Sequence, residues 1–240
     1  MADLLYQTDA YLRTFAAHVV AVEEGGLVID RTGFYPGGGG QPADRGVIQW
    51  QSHTYPMTKI KRSGDRLLYW VETDGVHPLP PVGAQVQGRI DWDHRLKLMR
   101  THTALHILCG VIWRDYGAQV TGGNMQPLKA RMDFELEHMT ADFAAKVEDK
   151  INAEVAAARQ IKVAILPREE AFQIPDLIRT KINLLPERIT GVRIVEIEGL
   201  DMQADGGTHV ANTREVGHIR VVKHDSKGRI NKRLRIALDE

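Results

Sequence analysis

Two short stretches carry side chains whose types and spacing suit a metal ion: His-Thr-Ala-Leu-His at residues 102–106 and Asp-Gly-Gly-Thr-His at residues 205–209. His102 and His106 stand at i and i+4, so on a helix their rings project from one face on consecutive turns and can share an ion. Asp205 and His209 have the same spacing, but Gly206 and Gly207 between them argue for a tight loop whose backbone amides come close to a bound group. Three imidazoles and one oxygen ligand suit zinc, with water or substrate entering the shell. Each stretch also has a plainer explanation. The first is a buried histidine pair with satisfied hydrogen bonds, and the second a glycine turn in which Asp205 serves neighbouring amides. A zinc-protease helix would read His-Glu-x-x-His, with glutamate as general base; Thr103 stands in that place and excludes that chemistry. Cys109 continues the histidine face at i+7, yet it lies inside the apolar run ILCGVI, where a free cysteine behaves as a small buried hydrophobe, and it is left outside the ligand set.

The elements that must position these residues change character near residue 91. Before it, β-branched or alternating runs (AHVVAVEE, GLVID, GVIQW, LLYWVE, AQVQGRI) are separated by glycine, proline and polar turns, the pattern of a compact all-β unit over residues 1–90. From Asp93, a candidate N-cap, HRLKLMRTHTALHILCGVIWRDY carries apolar residues at helical spacing and stops at Gly117. Then follow a strand in KARMDFEL, an amphipathic helix from the cap Thr140, a strand in IKVAILP and a short helix in REEAFQIPDLI broken near Pro175. GVRIVEIEG and the two strands of HIRVVKHDSKGRINKRLRIAL complete an α+β unit over residues 91–240, with the last hairpin turning at Ser226 to Gly228.

Composition bounds the partners. With 31 basic and 31 acidic residues the chain as a whole does not attract nucleic acid, so such a partner must meet a local patch. The last hairpin offers one in Lys223, Lys227, Arg229, Lys232, Arg233 and Arg235, which serve equally well as protection of strand edges. A lone cysteine excludes an internal disulfide, and no run approaches the roughly 20 apolar residues that cross a bilayer. The expected setting is the cytoplasm, with no membrane partner. FYPGGGGQP lacks the Gly-Lys-Ser/Thr ending of a triphosphate loop and the spacing of a dinucleotide fingerprint, so neither ATP nor NAD is indicated.

HTALH on a helix, followed by GGTHVANTREVG and a basic hairpin, resembles the editing domain shared by alanyl-tRNA synthetase and the free-standing AlaX proteins, related more distantly to that of threonyl-tRNA synthetase. TGFYPGGGGQPADRG resembles the glycine-rich element that precedes this domain in AlaX proteins of the intermediate length class. The resemblance spans nearly the whole chain. It implies an α+β fold, with a small β-barrel-like N-terminal domain ahead of an editing domain of the threonyl/alanyl-tRNA synthetase type. It implies a zinc-dependent aminoacyl-tRNA deacylase that removes serine or glycine from tRNA(Ala), with Zn2+ on His102, His106, Asp205 and His209. Gly38 and Gly39 are then expected in a loop over the pocket, and Gly206, Gly207 and Thr208 beside the substrate. Thr32 is expected to hydrogen-bond a serine hydroxyl that alanine lacks, which is the strong way to discriminate. Lys223, Lys232 and Arg233 are expected on the tRNA acceptor phosphates. The chain departs from the family in two places. Asp205 stands where the motif has cysteine, a position that an aspartate oxygen can also occupy, and Gly122 or Gly123 stands where synthetase editing domains carry glutamine. Two other readings stay open: a tRNA-binding module whose altered metal site no longer catalyses, and a metal-dependent esterase of small molecules.

Overall fold

The computed structural model describes residues 2–180 and 189–240. Two compact units form, one running to Gly38 and resuming from Pro42 to Leu96, the other made of Gly39–Gln41 and the chain from Lys97.

In the first unit β1 (Asp3–Leu4) pairs in parallel with β4 (Arg31–Thr32). Six further strands close a barrel in the order β2 (Thr14–Glu23), β3 (Gly26–Ile29), β7 (Arg66–Val71), β6 (His53–Ser63), β5 (Gly46–Trp50), β8 (Gln85–Ile90). Alternation dictates which residues face inward: β2 buries Phe15, Ala17 and Val19, and β8 buries Val86, Gly88 and Ile90. Gly88 is required there, because a Cβ at that position would lie 2.3 Å from the Phe15 ring. Closure removes the sheet edges that short strands would otherwise expose.

The long helix α1 (Trp92–Tyr116) begins ahead of its expected cap. Asp91, not Asp93, closes its start, its carboxylate accepting from His94 N at 3.2 Å and its carbonyl from Arg95 N at 3.0 Å. Asp93 sits inside the first turn, where its charge favours the positive helix end. The first unit extends to Leu96, beyond the residue-90 boundary expected from sequence, because the Arg95 guanidinium is fully buried in it. Arg95 pairs with Asp44 and donates to the carbonyls of Ala10 and Gly33. At the other end Gly117 adopts φ +63° and donates to Trp113 O at 2.9 Å.

In the second unit an antiparallel sheet runs β14 (Ile219–Gly228), β15 (Asn231–Leu238), β10 (Lys129–Phe134), β9 (Val120–Gln126). A three-stranded sheet runs β11 (Ile161–Pro167), β12 (Gly191–Ile197), β13 (Asp201–Ala204). Helix α2 (Ala141–Ala156) is capped by Thr140 Oγ1, which accepts from Phe143 N at 3.1 Å. Helix α3 (Arg168–Ala171) is a single turn, shorter than REEAFQIPDLI suggested, because turn hydrogen bonds from Gln173 and Ile174 close it before Pro175. Gly228 pairs with Asn231, so the last hairpin turns through Arg229 and Ile230 rather than at Ser226 to Gly228. None of the helices among the described residues is long and apolar enough to cross a membrane.

Candidate metal centre

Residues 101–112 of α1 are buried without a break, so the helix carries its histidines through the interior of the second unit rather than along a surface face. The loop after β13 brings Asp205 and His209 to them. The ring centroids of His102 and His209 lie 4.3 Å apart and those of His106 and His209 4.6 Å. One donor atom from each of His102, His106, Asp205 and His209 lies within 4.8 Å of all the others. His209 Nε2 is 3.0 Å from Asp205 Oδ2, and His102 Nε2 is 3.6 Å from Oδ1. Ligands about 2.1 Å from a tetrahedral ion stand roughly 3.4 Å apart, so the four donors fit a small divalent cation.

Behind each imidazole stands a partner for its other nitrogen. His102 Nδ1 donates to Gln41 Oε1 at 2.9 Å and His106 Nδ1 to Asp201 Oδ2 at 3.1 Å; both partners only accept, so each ring, when neutral, turns its Nε2 lone pair to the cluster. His209 Nδ1 lies 3.2 Å from Thr103 Oγ1, a hydroxyl that rotates to donate or accept. Thr103 therefore supports His209 from the position where a protease would carry its glutamate. Asp201 Oδ2 also accepts from Gln203 Nε2 at 2.6 Å.

Asp205 makes the loop bond that its sequence context suggested and also faces the histidines. Its Oδ2 accepts from Gly207 N at 2.8 Å, the tight-loop bond, while both oxygens face histidines. Arg193 fixes the loop by donating to Asp205 O at 3.0 Å. At Gly207 a Cβ would lie 2.3 Å from His102 Cε1, so any side chain there would displace a donor.

The electrostatics favour a cation. Burial would raise the Asp205 carboxyl, but His102 and the bonded His209 hold it well below the usual carboxylate range. Burial pushes His102 down to about 4, and burial with the neighbouring His102 takes His209 well below its ordinary value. His106 goes the other way: burial lowers it, but the hydrogen bond and charge of Asp201 leave it raised. Near neutral pH, His102 and His209 are thus neutral donors and Asp205 is an anion.

A cavity of about 730 Å³ opens against the cluster, bordered by His102, His106, Asp205 and Gly206 and, on other walls, by Gly39, Gly40, Gly122, Gly123, Asn124 and Arg179. Gly39 and Gly206 therefore meet the ligands at one cavity, while Gly207 and the fully buried Thr208 lie in the loop that bears His209. Gly38 belongs to the barrel unit, where its carbonyl accepts from Tyr35 OH at 2.9 Å. Thr32 lies in the same unit, fully buried, its hydroxyl oxygen accepting from Phe34 N at 3.1 Å. Cys109 is buried outside the cluster, and burial pushes its thiol well up. Two of the hairpin cations are committed inside the fold: Lys232 Nζ donates to Gly228 O and Arg229 O, and Arg233 grips Asp133 through two bonds of 2.6 and 2.7 Å. Lys223, Lys227 and Arg229 are exposed.

Sequence reasoning missed Gln41, Asp201 and Gln203 as supports. Only Gln41 carried a local signal, as the residue that ends the glycine run.

Comparison with known proteins gives two family matches: the Threonyl and Alanyl tRNA synthetase second additional domain over residues 192–235, and tRNA synthetases class II (A) over residues 8–94. The chain is 37% identical to Alanyl-tRNA editing protein AlaX-M of Saccharolobus solfataricus over 98% of each chain. It is also 37% identical to the AlaX-M protein of Methanosarcina acetivorans over 99% of each. An Alanine--tRNA ligase of Pyrobaculum neutrophilum is 35% identical over 91% of this chain, which corresponds to 25% of the ligase.

Proposed function

The chain belongs to the AlaX-M alanyl-tRNA editing proteins, and from that premise we propose that it holds zinc on His102, His106, Asp205 and His209 and hydrolyses the ester joining serine or glycine to tRNA(Ala). The observation that carries this reading is the convergence of four donors, the three histidines buried and Asp205 half-buried, with His102, His106 and Asp205 bordering a cavity large enough for an aminoacylated nucleoside. Zinc bound there supplies a Lewis acid beside the ester.

The chain's own residues do the rest. Gly39, Gly40 and Gly206 keep the cavity walls free of side chains, so that a ribose and its ester approach backbone closely. Gly122 and Gly123 do the same on β9, where a glutamine side chain would occupy space. Asn124 and Gln203 present amides at the cavity, suited to the amino group and hydroxyls of the aminoacyl end. On the family resemblance we assign the preference for serine over alanine to the Thr32 hydroxyl, whose oxygen accepts from Phe34 N. The acceptor phosphates fall to the exposed Lys227 and Arg229, since Lys232, Arg233 and Lys223, the last paired with Asp225 at 3.1 Å, already have partners within the sheet.

The test is deacylation of Ser-tRNA(Ala), Gly-tRNA(Ala) and Ala-tRNA(Ala) by the purified protein, together with its metal content. Fast hydrolysis of the first two with Ala-tRNA(Ala) spared is the expected result. Binding of tRNA without turnover would support the inactive module, and equal turnover of small esters lacking tRNA the general esterase. Thr32→Val is expected to erode the serine preference while leaving the protein folded.

A further inference from the structure

The glycine run has a structural consequence that neither a phosphate loop nor a flexible turn describes. Gly37, Gly38, Gly39 and Gly40 all take positive φ (+87°, +134°, +55° and +87°), a succession that side-chain-bearing residues do not adopt without strain. It delivers Gln41, which is 2% exposed, into the second unit, where Gly40 O accepts from Met125 N at 3.2 Å. The Gln41 amide is then fully specified. Its Oε1 accepts from His102 Nδ1 at 2.9 Å and from Thr208 N at 3.0 Å, and its Nε2 donates to Thr208 Oγ1 at 2.9 Å. Flipping the amide would set its NH2 against the Thr208 amide hydrogen, so the oxygen is the atom that meets His102. Space is as constrained as hydrogen bonding, since a Cβ on Gly207 would come within 2.7 Å of this same oxygen.

We propose that Gln41 is a positioning residue of the metal centre. It holds His102 as the Nδ1–H tautomer, with the Nε2 lone pair toward Asp205, and it ties the helix bearing His102 and His106 to the loop bearing Asp205 and His209. The proposal rests on the metal reading above and adds to it a residue that touches neither ion nor substrate. Imidazoles that ligate a metal depend on such an acceptor for tautomer and ring orientation, and its loss typically weakens metal affinity by about 10- to 100-fold.

Gln41→Met keeps the side chain's length and removes both hydrogen-bonding groups, Gln41→Glu keeps the acceptor, and Gln41→Asn withdraws it by one methylene. Long-range proton–nitrogen NMR of the metal-free proteins at neutral pH reads the His102 tautomer directly, and competition between Co2+ and a chelator reads affinity. Wild type and Gln41→Glu are expected to show the Nδ1–H form. Gln41→Met is expected to show a mixture and to bind Co2+ about 10- to 100-fold more weakly at unchanged stoichiometry. Gln41→Asn is expected to behave likewise, and it decides the matter should Gln41→Met fail to fold. A folded Gln41→Met or Gln41→Asn protein with the wild-type tautomer and wild-type Co2+ affinity overturns the proposal. Should wild type itself take up neither Co2+ nor Zn2+, the metal reading fails on its own, and the tautomer comparison still decides the role of Gln41.

Discussion

At the scale of single residues, Asp205 is one of two places where this chain leaves the family pattern, and its proposed ligand role together with its loop bond predicts a compound phenotype. Asp205→Ala removes a candidate ligand and also the acceptor for Gly207 N. It should lower zinc affinity, measured by chelator competition, and cost roughly 1 kcal/mol in denaturant unfolding of the metal-free protein. Asp205→Cys should keep or tighten the metal, through the softer thiolate, while still losing that loop bond. An Asp205→Ala protein with wild-type metal affinity would reduce the residue to a turn former. The histidines predict how metal binding depends on pH. His102, depressed to about 4, and His209, also depressed, are already neutral at pH 7, whereas His106 is raised and retains its proton to higher pH. A raised histidine stabilises the metal-free fold fully below its unfolded value of about 6.5 and ceases to do so as pH climbs through its folded value. Since only the neutral ring binds metal, affinity should rise with pH through the His106 transition and then level off. Calorimetry in buffers of different ionisation enthalpy should find release approaching one proton per ion below that transition. Release of about three would contradict the assignment.

At the scale of elements, the periodic ones were legible and those governed by distant partners were not. Alternation marked β2 and β8, helical spacing with Gly117 marked α1, and Thr140 marked the start of α2. The strand β9 was missed because VTGGNMQ has the glycines of a loop; pairing with β10 makes it a strand against its local preference. Within the centre, the histidines and Asp205 announced themselves by type and spacing. Gln41 was marked only as the residue that ends the glycine run, and its role was hidden because its partner His102 is 61 positions away. Asp44 was likewise anonymous within GQPADRG, yet it neutralises the fully buried Arg95 in the first turn of α1 and accepts from Tyr35 N. Removing one member of a buried pair leaves the other charge without compensation, so Asp44→Ala should destabilise the protein by about 3–5 kcal/mol. The check is the denaturant midpoint, and a loss below about 1 kcal/mol would mean that water reaches Arg95 in the variant.

At the scale of the whole molecule, 31 positive and 31 negative charges give the protein no net attraction for tRNA, and binding must come from local features. Lys227→Ala with Arg229→Ala should therefore flatten the salt dependence of tRNA binding, the slope falling by about one for each phosphate that is no longer neutralised, and leave metal content unchanged. Lys232→Ala should act differently, loosening the hairpin turn whose carbonyls it caps without changing that slope. An unchanged slope in the double variant would return the hairpin tip to the role of a solvated edge. The central claim, that the three-histidine and aspartate cluster makes this chain an editing deacylase, is tested most directly by single-turnover hydrolysis of Ser-tRNA(Ala). The reaction is followed with the protein as purified, after chelation, after restoration of zinc, and in the His102→Ala variant. The account predicts rapid deacylation that chelation abolishes and zinc restores, with His102→Ala inactive at equal zinc and Ala-tRNA(Ala) spared throughout. Deacylation that persists undiminished in both the chelated protein and folded His102→Ala would contradict it.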